Sequence, residues 1–459
     1  MTIEAPTGDA GHDAPKSPTA LLAEAVALHR SDRLRDAEPL YAAVLRAQPD
    51  HPDALHFLGV LKHRQGASGE AVTLIRRALA LAPSPDTSNN LGNVLLQSGQ
   101  AEEAVAAYRS VLALRPGAAD AHHNLGIALQ AIGKASEAAA AIEQAIALEP
   151  RKALYHYSLA MLWLRLGQPQ NATPILQVAL ALDPNFAQAH VARIRAIRMS
   201  ATEPAAALRA IADWLATEPT DPIALHLRAA YSGQAIPSRA SDAYVQTLFD
   251  KYAASFDAHL DRLGYRAPQL LAAAIARLIG EPRAALDVLD TGCGTGLCGP
   301  LLRPYARRLA GVDLAEAMLA KARERDVYDE LAAGELTAFI AARPRTYDLI
   351  VSADTLVYFG DLAPVAGAAA AALRDDGILA VSLENLAAAE GPGFRLEEHG
   401  RYSHTADYVR RVLGEAGFAP VVIDRAAPRN EGGVPVAGLV IVARKPVSGD
   451  ALQRSKATR

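Results

Sequence analysis

The first half of the chain is written in one recurring pattern. From about residue 17 to residue 220, apolar residues fall three and four apart in paired segments, each long enough for an amphipathic helix, with short turns such as Gln65-Gly66 or Gly99-Gln100 between them. Prolines close the units at Pro49, Pro83, Pro116, Pro150, Pro184 and Pro219, a spacing of 33 to 35 residues. Twelve positions before a proline stand Ala37, Ala71, Ala104, Ala138 and Ala172, and five before it Val44, Ala78, Val111, Ala145 and Ala179. Earlier in each unit comes a Leu-small pair: Leu58-Gly59, Leu91-Gly92, Leu125-Gly126 and Leu159-Ala160. Helices approach closely only where side chains are small, so this register predicts an all-α solenoid of helix-turn-helix units that share one core.

After residue 186 the repeat degrades while the helical pattern continues, with Trp214 as the expected core anchor. The segment SGQAIPSRASDAYV (232–245) has the composition of a boundary. Beyond it a helical pattern over 244–280 gives way to short apolar runs that alternate with helical ones: ALDVLD, RRLAGVD, YDLIVSA, GILAVSL, APVVIDR and AGLVIVARK. That alternation predicts an open, mostly parallel α/β sheet. The expected division is a disordered leader over 1–18, a helical array over 19–235, a linker over 236–245, an α/β domain over 246–446 and a disordered tail over 447–459.

Composition adds little beyond these bounds. A length of 459 residues exceeds what one core organises. Hydrophobic residues at 51%, charged residues at 21% and a formal net charge of -4 give no polyanion-binding or membrane-surface bias. No apolar run is long enough to span a bilayer. The two cysteines, Cys293 and Cys298, are too few for a zinc set or a disulfide framework, so no metal is expected and a reducing cytoplasm suits the chain.

The candidate chemistry lies where the first predicted strand ends. Residues 288–299 read VLDTGCGTGLCG, and glycines there let a backbone and a bound ligand approach closely. The last six, GTGLCG, spell the dinucleotide pattern G-x-G-x-x-G, with Asp313 at ribose-binding distance, which by itself reads as an NAD(P)-dependent oxidoreductase. With Asp290 and Gly292 the stretch resembles instead the first motif of class I S-adenosylmethionine-dependent methyltransferases. The predicted helical units likewise resemble tetratricopeptide repeats. Together they are similar to bacterial predicted methyltransferases that carry such repeats.

The resemblance implies a Rossmann-like, seven-stranded, mainly parallel sheet with an antiparallel terminal strand, and S-adenosyl-L-methionine as cofactor. On this sequence the loop residues are Asp290, Gly292, Cys293, Gly294 and Gly296, with the next helix beginning near Leu297 and Gly299 easing its packing. Asp313 would accept the ribose hydroxyls, Leu314 would lie on the adenine with Met318 behind it, and Glu335 with Leu336 would meet the adenine edge. Ala353 and Asp354 would stand beside the methyl donor. Tyr252 and Phe256, four apart on one helical face, would close over the cofactor, whereas Asp257 and His259 read as solvated or capping.

For the acceptor side, Glu384 ends the fifth strand and should point toward the pocket. Arg401, Tyr402 and His404, with His399 nearby, cluster in an expected loop before an amphipathic helix that Ser403 or Thr405 would cap. His404 or Tyr402 is the candidate base. In the array, Asn90 and Asn124 precede Leu-Gly pairs, and in the similar repeats of O-GlcNAc transferase asparagines there grip a peptide backbone; Phe57 and Ser158 interrupt that ladder. The implied partner is a protein or peptide. The acceptor, a protein side chain or a small metabolite, stays open, as does a scaffold whose second domain senses S-adenosylmethionine without turnover.

Overall fold

A computed structural model of the chain describes residues 16–200, 204–253, 256–388 and 391–447. Most of the expected leader and tail, residues 1–15 and 448–459, lies outside the described residues. Ser17 already caps the first helix, Pro18–Arg30, accepting from the Ala20 N–H at 3.2 Å. The chain divides into two compact units, Met1–Glu203 and Pro204–Arg459.

In the first unit, helices of 13 and 14 residues alternate from Pro18–Arg30 and Leu34–Ala47 to Pro169–Leu182 and Ala187–Met199. The small register works as the sterics require: Ala37, Ala71, Ala104, Ala138 and Ala172 are all fully buried. In the Leu-Gly pairs the glycine is a contact surface. A Cβ on Gly92 would lie 2.6 Å from the Tyr108 ring, and one on Gly126 would lie 2.5 Å from Ile142. Each proline falls two residues past a helix end, where it cannot interrupt a helical hydrogen bond.

The second unit opens with helices Pro204–Thr217 and Pro222–Ser232, which the sequence pattern alone assigns to the array; Trp214 is fully buried there. Helices Asp242–Tyr252, Phe256–Arg262 and Ala267–Ile279 follow. The sheet is built from β1 (Leu286–Thr291), β2 (Ala306–Asp313), β3 (Glu330–Ala333), β4 (Tyr347–Ser352), β5 (Leu373–Asn385), β6 (Phe394–Leu396), β7 (Tyr402–His404) and β8 (Val421–Ala426). After a small hairpin of β9 (Asn430–Glu431) and β10 (Val434–Pro435), β11 (Gly438–Arg444) completes it.

The main path runs β3-β2-β1-β4-β5-β11-β8. Of its seven strands only β11 is antiparallel, to both β5 and β8, so β8 runs with the majority. Side chains alternate across the sheet. Leu289, Ile350 and Val381 face one apolar layer that includes helices Ala363–Ala372 and Ala406–Glu415; Val288, Leu349 and Ala380 face the other, with helix Ala267–Ile279. Two expectations change here. Residues 402–404 form strand β7, paired parallel with the end of β5, because burial beside that strand leaves their backbone no water to bond. The helix after the glycine loop starts at Gly299.

Candidate active site

A cleft of about 910 Å³ opens at the carboxyl ends of β1, β2 and β4. Brought together on its walls are Phe256, Gly292, Cys293, Gly294, Asp313, Leu314, Met318, Glu335, Leu336, Ala353 and Asp354. Three residues expected at the cofactor are not on the wall. Tyr252 is 44% exposed. Asp290 is buried beneath the loop, and Gly296 packs against Arg325 and Tyr328.

The loop's shape follows from its contacts. Gly292 has φ +65°, and a Cβ there would lie 2.2 Å from Thr355, whose Oγ1 donates to the Gly292 carbonyl at 3.1 Å. Gly294 donates its N–H to Asp313 Oδ2 at 2.8 Å, while Asp313 Oδ1 accepts from the Ala315 N–H at 2.9 Å. Burial pushes the Asp313 carboxyl up, and those backbone donors oppose the shift. Glu335 caps helix Leu336–Ala341, accepting from the Thr337 and Ala338 N–H groups at 3.0 and 2.8 Å.

Asp290 accepts from the Tyr328 hydroxyl at 2.7 Å, but its Oδ1 has no partner among the described residues. Burial raises its pKa to about 7, with the Asp313 charge adding. Asp257, read as solvated or capping, has a side chain 44% exposed in the first turn of its helix, and it also accepts from Thr295 Oγ1 at 2.5 Å and pairs with Arg325, which donates to the Thr295 carbonyl at 2.6 Å. It ties helix Phe256–Arg262 to the glycine loop, and its partners 38 and 68 residues away give no local sequence signal.

The segment 236–245, which composition marks as a linker, is bonded to the chain just past β4. Ser238 accepts at 2.8 Å from the N–H groups of Gly360 and Asp361, and Ala240 donates to the Tyr358 carbonyl at 2.8 Å. Arg239 and Ala240 thereby become cleft wall. Arg239 is held by Asp242 Oδ1 at 2.5 Å.

At the end of β4 a buried ion network appears that sequence reasoning missed. Arg429 is 5% exposed and pairs with Asp354, with Glu384, and with Glu431 at 2.8 Å. Arg401 bridges Glu384 and Glu431, both at 2.6 Å. Asp354 has φ +55°, and Ser382 Oγ accepts its N–H at 2.8 Å. Glu384 thus serves the network and is absent from the cleft wall.

Tyr402 and His404 also lie away from the wall, both fully buried. The Tyr402 hydroxyl donates to the Pro237 carbonyl at 2.8 Å. His404 Nε2 is 3.1 Å from the Gly360 carbonyl, and burial lowers its pKa to about 4, which makes it a poor proton acceptor near neutral pH. His399 stands 3.4 Å from Glu384, and Thr405 caps the following helix. In the array, the Asn90 amide donates to His56 Nε2 at 2.8 Å, and Asn124 reaches Asn89 Oδ1 at 3.4 Å; both are half-buried.

Among the described residues no helix is long and apolar enough to cross a membrane, and no three His, Cys, Asp or Glu side chains are grouped to hold a metal ion.

Comparison with known proteins agrees with this geometry. A family model described as a methyltransferase domain matches residues 263–422, and tetratricopeptide repeat models match 14–85, 92–133 and 123–187. The malonyl-[acyl-carrier protein] O-methyltransferase of Acetivibrio thermocellus is 34% identical over 104 residues, 22% of this chain and 37% of that enzyme. The ubiquinone biosynthesis O-methyltransferase of Xylella fastidiosa is 31% identical over 183 residues, 38% of this chain and 71% of that enzyme. Among solved structures, the tetratricopeptide protein YrrB is 20% identical, with a TM-score of 0.35 over 39% of this chain and 92% of its own. The chain belongs to the S-adenosylmethionine-dependent methyltransferases, in a form that carries tetratricopeptide repeats ahead of the methyltransferase domain.

Proposed function

We propose that the second unit binds S-adenosylmethionine in the cleft and transfers its methyl group to an acceptor, and that the repeat array recruits a protein or peptide carrying or accompanying that acceptor. The observation that carries the first part is the Asp313 carboxylate fixed between the Gly294 and Ala315 N–H groups at the cleft wall. It stands across the glycine loop from Asp354, since β2 and β4 flank β1.

The residues present fit the cofactor. A Cβ on Gly294 would meet nothing within 4 Å, so the loop fronts open space. Asp313 remains able to accept the ribose hydroxyls through its second lone pairs, Leu314 and Leu336 supply apolar faces for the adenine, and Glu335 offers its edge a carboxylate. When bound, S-adenosylmethionine supplies an electrophilic methyl group on a positively charged sulfur. The chain's own task is alignment in a water-poor space, which can contribute several kcal/mol, up to roughly 7 to 11 in favourable cases. Phe249, Phe256, Tyr358 and Phe359 exclude water from the wall. Asp257 holds the covering helix to the loop.

For the array, support comes from the half-buried amides of Asn90 and Asn124 and from the solenoid form, which exposes a concave surface. Labelled methyl transfer into a cell lysate, separated into protein and small-molecule fractions, tests the proposal. Label in the protein fraction that is lost in an Asn90→Ala/Asn124→Ala chain supports recruitment. Label only among small molecules assigns the array another role, and unlabelled fractions throughout favour a non-catalytic sensor.

A further inference from the structure

Resting on the reading that the cleft holds S-adenosylmethionine, we propose that Arg239, braced by Asp242, receives the carboxylate at the cofactor's amino-acid end. Arg239 stands ahead of residues 263–422, the part of the chain that matches the methyltransferase family, so the family pattern gives it no role. The cofactor brings one carboxylate into a cleft whose charged wall residues are Asp313, Glu335, Asp354 and Arg239. Three of the four repel it. Among the described residues Arg239 is the one cation on that wall.

A carboxylate taken out of water needs donors or a cation in place of its hydration. The glycine loop has few donors to give. Gly292 and Cys293 donate their N–H groups to the Val312 carbonyl at 2.7 and 3.1 Å, Gly294 donates to Asp313, and Gly296 donates to the Cys293 carbonyl at 2.8 Å.

Arg239 is preset for the task in backbone and side chain. Ser238 accepts from the Gly360 and Asp361 N–H groups and Ala240 donates to the Tyr358 carbonyl, so Arg239 is fixed opposite Phe359 in an antiparallel bridge. Its guanidinium uses Nη1 alone, on Asp242 Oδ1 at 2.5 Å and the Ala240 carbonyl at 3.1 Å. Nε and Nη2 have no hydrogen-bond partner among the described residues. Together they form an edge with which an arginine can bind both oxygens of a carboxylate in parallel.

The placement agrees with the cofactor's own order of parts. Glu335 follows β3 and Asp313 ends β2, so the adenine and ribose take the β3-β2 side, and the amino-acid end extends across β1 toward β4. Arg239 is anchored to the segment just past β4.

Calorimetric titration of the full chain with two ligands tests the proposal. S-adenosylhomocysteine keeps the whole amino-acid end, whereas S-adenosyl-3-thiopropylamine lacks its carboxylate alone. Wild type should bind the first at least about tenfold more tightly, the scale of a hydrogen bond to a charged group. Two neutral replacements guard against a misfolded variant: Arg239→Met keeps an apolar chain of similar length beside the Phe359 ring, and Arg239→Gln keeps an N–H donor for Asp242. In each, the affinity for S-adenosylhomocysteine should fall to that for the amine, while the amine binds as in wild type and so reports an intact fold. A wild-type ratio near one overturns the proposal and leaves Arg239 for an anionic acceptor. A full ratio that survives in a variant binding the amine normally overturns it as well. So does loss of the amine from both variants, which would show that Arg239 sustains the site as a whole. If wild type binds neither ligand, the cofactor reading fails and takes the proposal with it.

Discussion

Thr355 closes on Gly292: its Oγ1 donates to the glycine carbonyl at 3.1 Å, and its methyl group fills the place where a Cβ on residue 292 would sit. The contact joins the ends of β1 and β4, so it fixes the glycine loop against the strand that carries Asp354.

Gly292→Ala should therefore be costly twice over. A positive φ costs an alanine about 1–2 kcal/mol, and overpacking about 1–3 kcal/mol. Thermal unfolding of the full chain should show the second-unit transition lowered, with Thr355→Ala in the same chain recovering only part of the overpacking cost, because the Cβ of residue 355 still lies 2.7 Å from the added one. An unchanged transition in Gly292→Ala would show that the loop yields freely.

Asp290 links the site to pH. Its pKa is raised to about 7 by burial, so below about pH 4 it is protonated in both the native and the unfolded chain. Between about pH 4 and 7 the unfolded chain releases the proton while the native one keeps it. Stability then falls as pH rises, by up to about 1.4 kcal/mol per unit, and levels off above about pH 7. Asp290→Asn should flatten this part of the unfolding profile; parallel profiles for the two chains would refute it.

In the array the comparison is between glycines. Gly126→Ala pushes a Cβ to 2.5 Å from Ile142 and 3.0 Å from the Ala138 carbonyl and should cost about 1–3 kcal/mol. Gly117→Ala meets nothing within 4 Å and should be neutral or stabilise by about 0.4–1 kcal/mol. Ala160 occupies the register of Gly126 one unit later, fully buried, so the helices there must stand where a methyl group fits. Equal effects of the two substitutions, measured by denaturant unfolding, would remove the close-packing account of the Leu-Gly pair.

These cases also mark what could be read in advance. Ala37 to Ala172 and the glycine loop were legible because their constraint is local: a period, a turn, a small side chain. Arg429 was not, because its meaning lies in Asp354, Glu384 and Glu431, two of them contributed by distant strand ends. Tyr402 and His404 misled for a related reason. Polar letters in a short segment suggest a solvated loop, but pairing of Ser403 and His404 with the end of β5 buries them. Residues 236–245 look like a linker by composition, yet the backbone bonds of Ser238 and Ala240 to 358–361 set Arg239 and Ala240 in the cleft wall.

The central claim is that the cleft holds S-adenosylmethionine through Asp313, and direct calorimetric titration of the full chain tests it. The account predicts saturable binding at one site per chain, weakened in Asp313→Ala by about 1.5–3 kcal/mol, the range for hydrogen bonds to a charged group, with the fold intact. No saturable binding in wild type, or unchanged affinity in a folded Asp313→Ala chain, would contradict it.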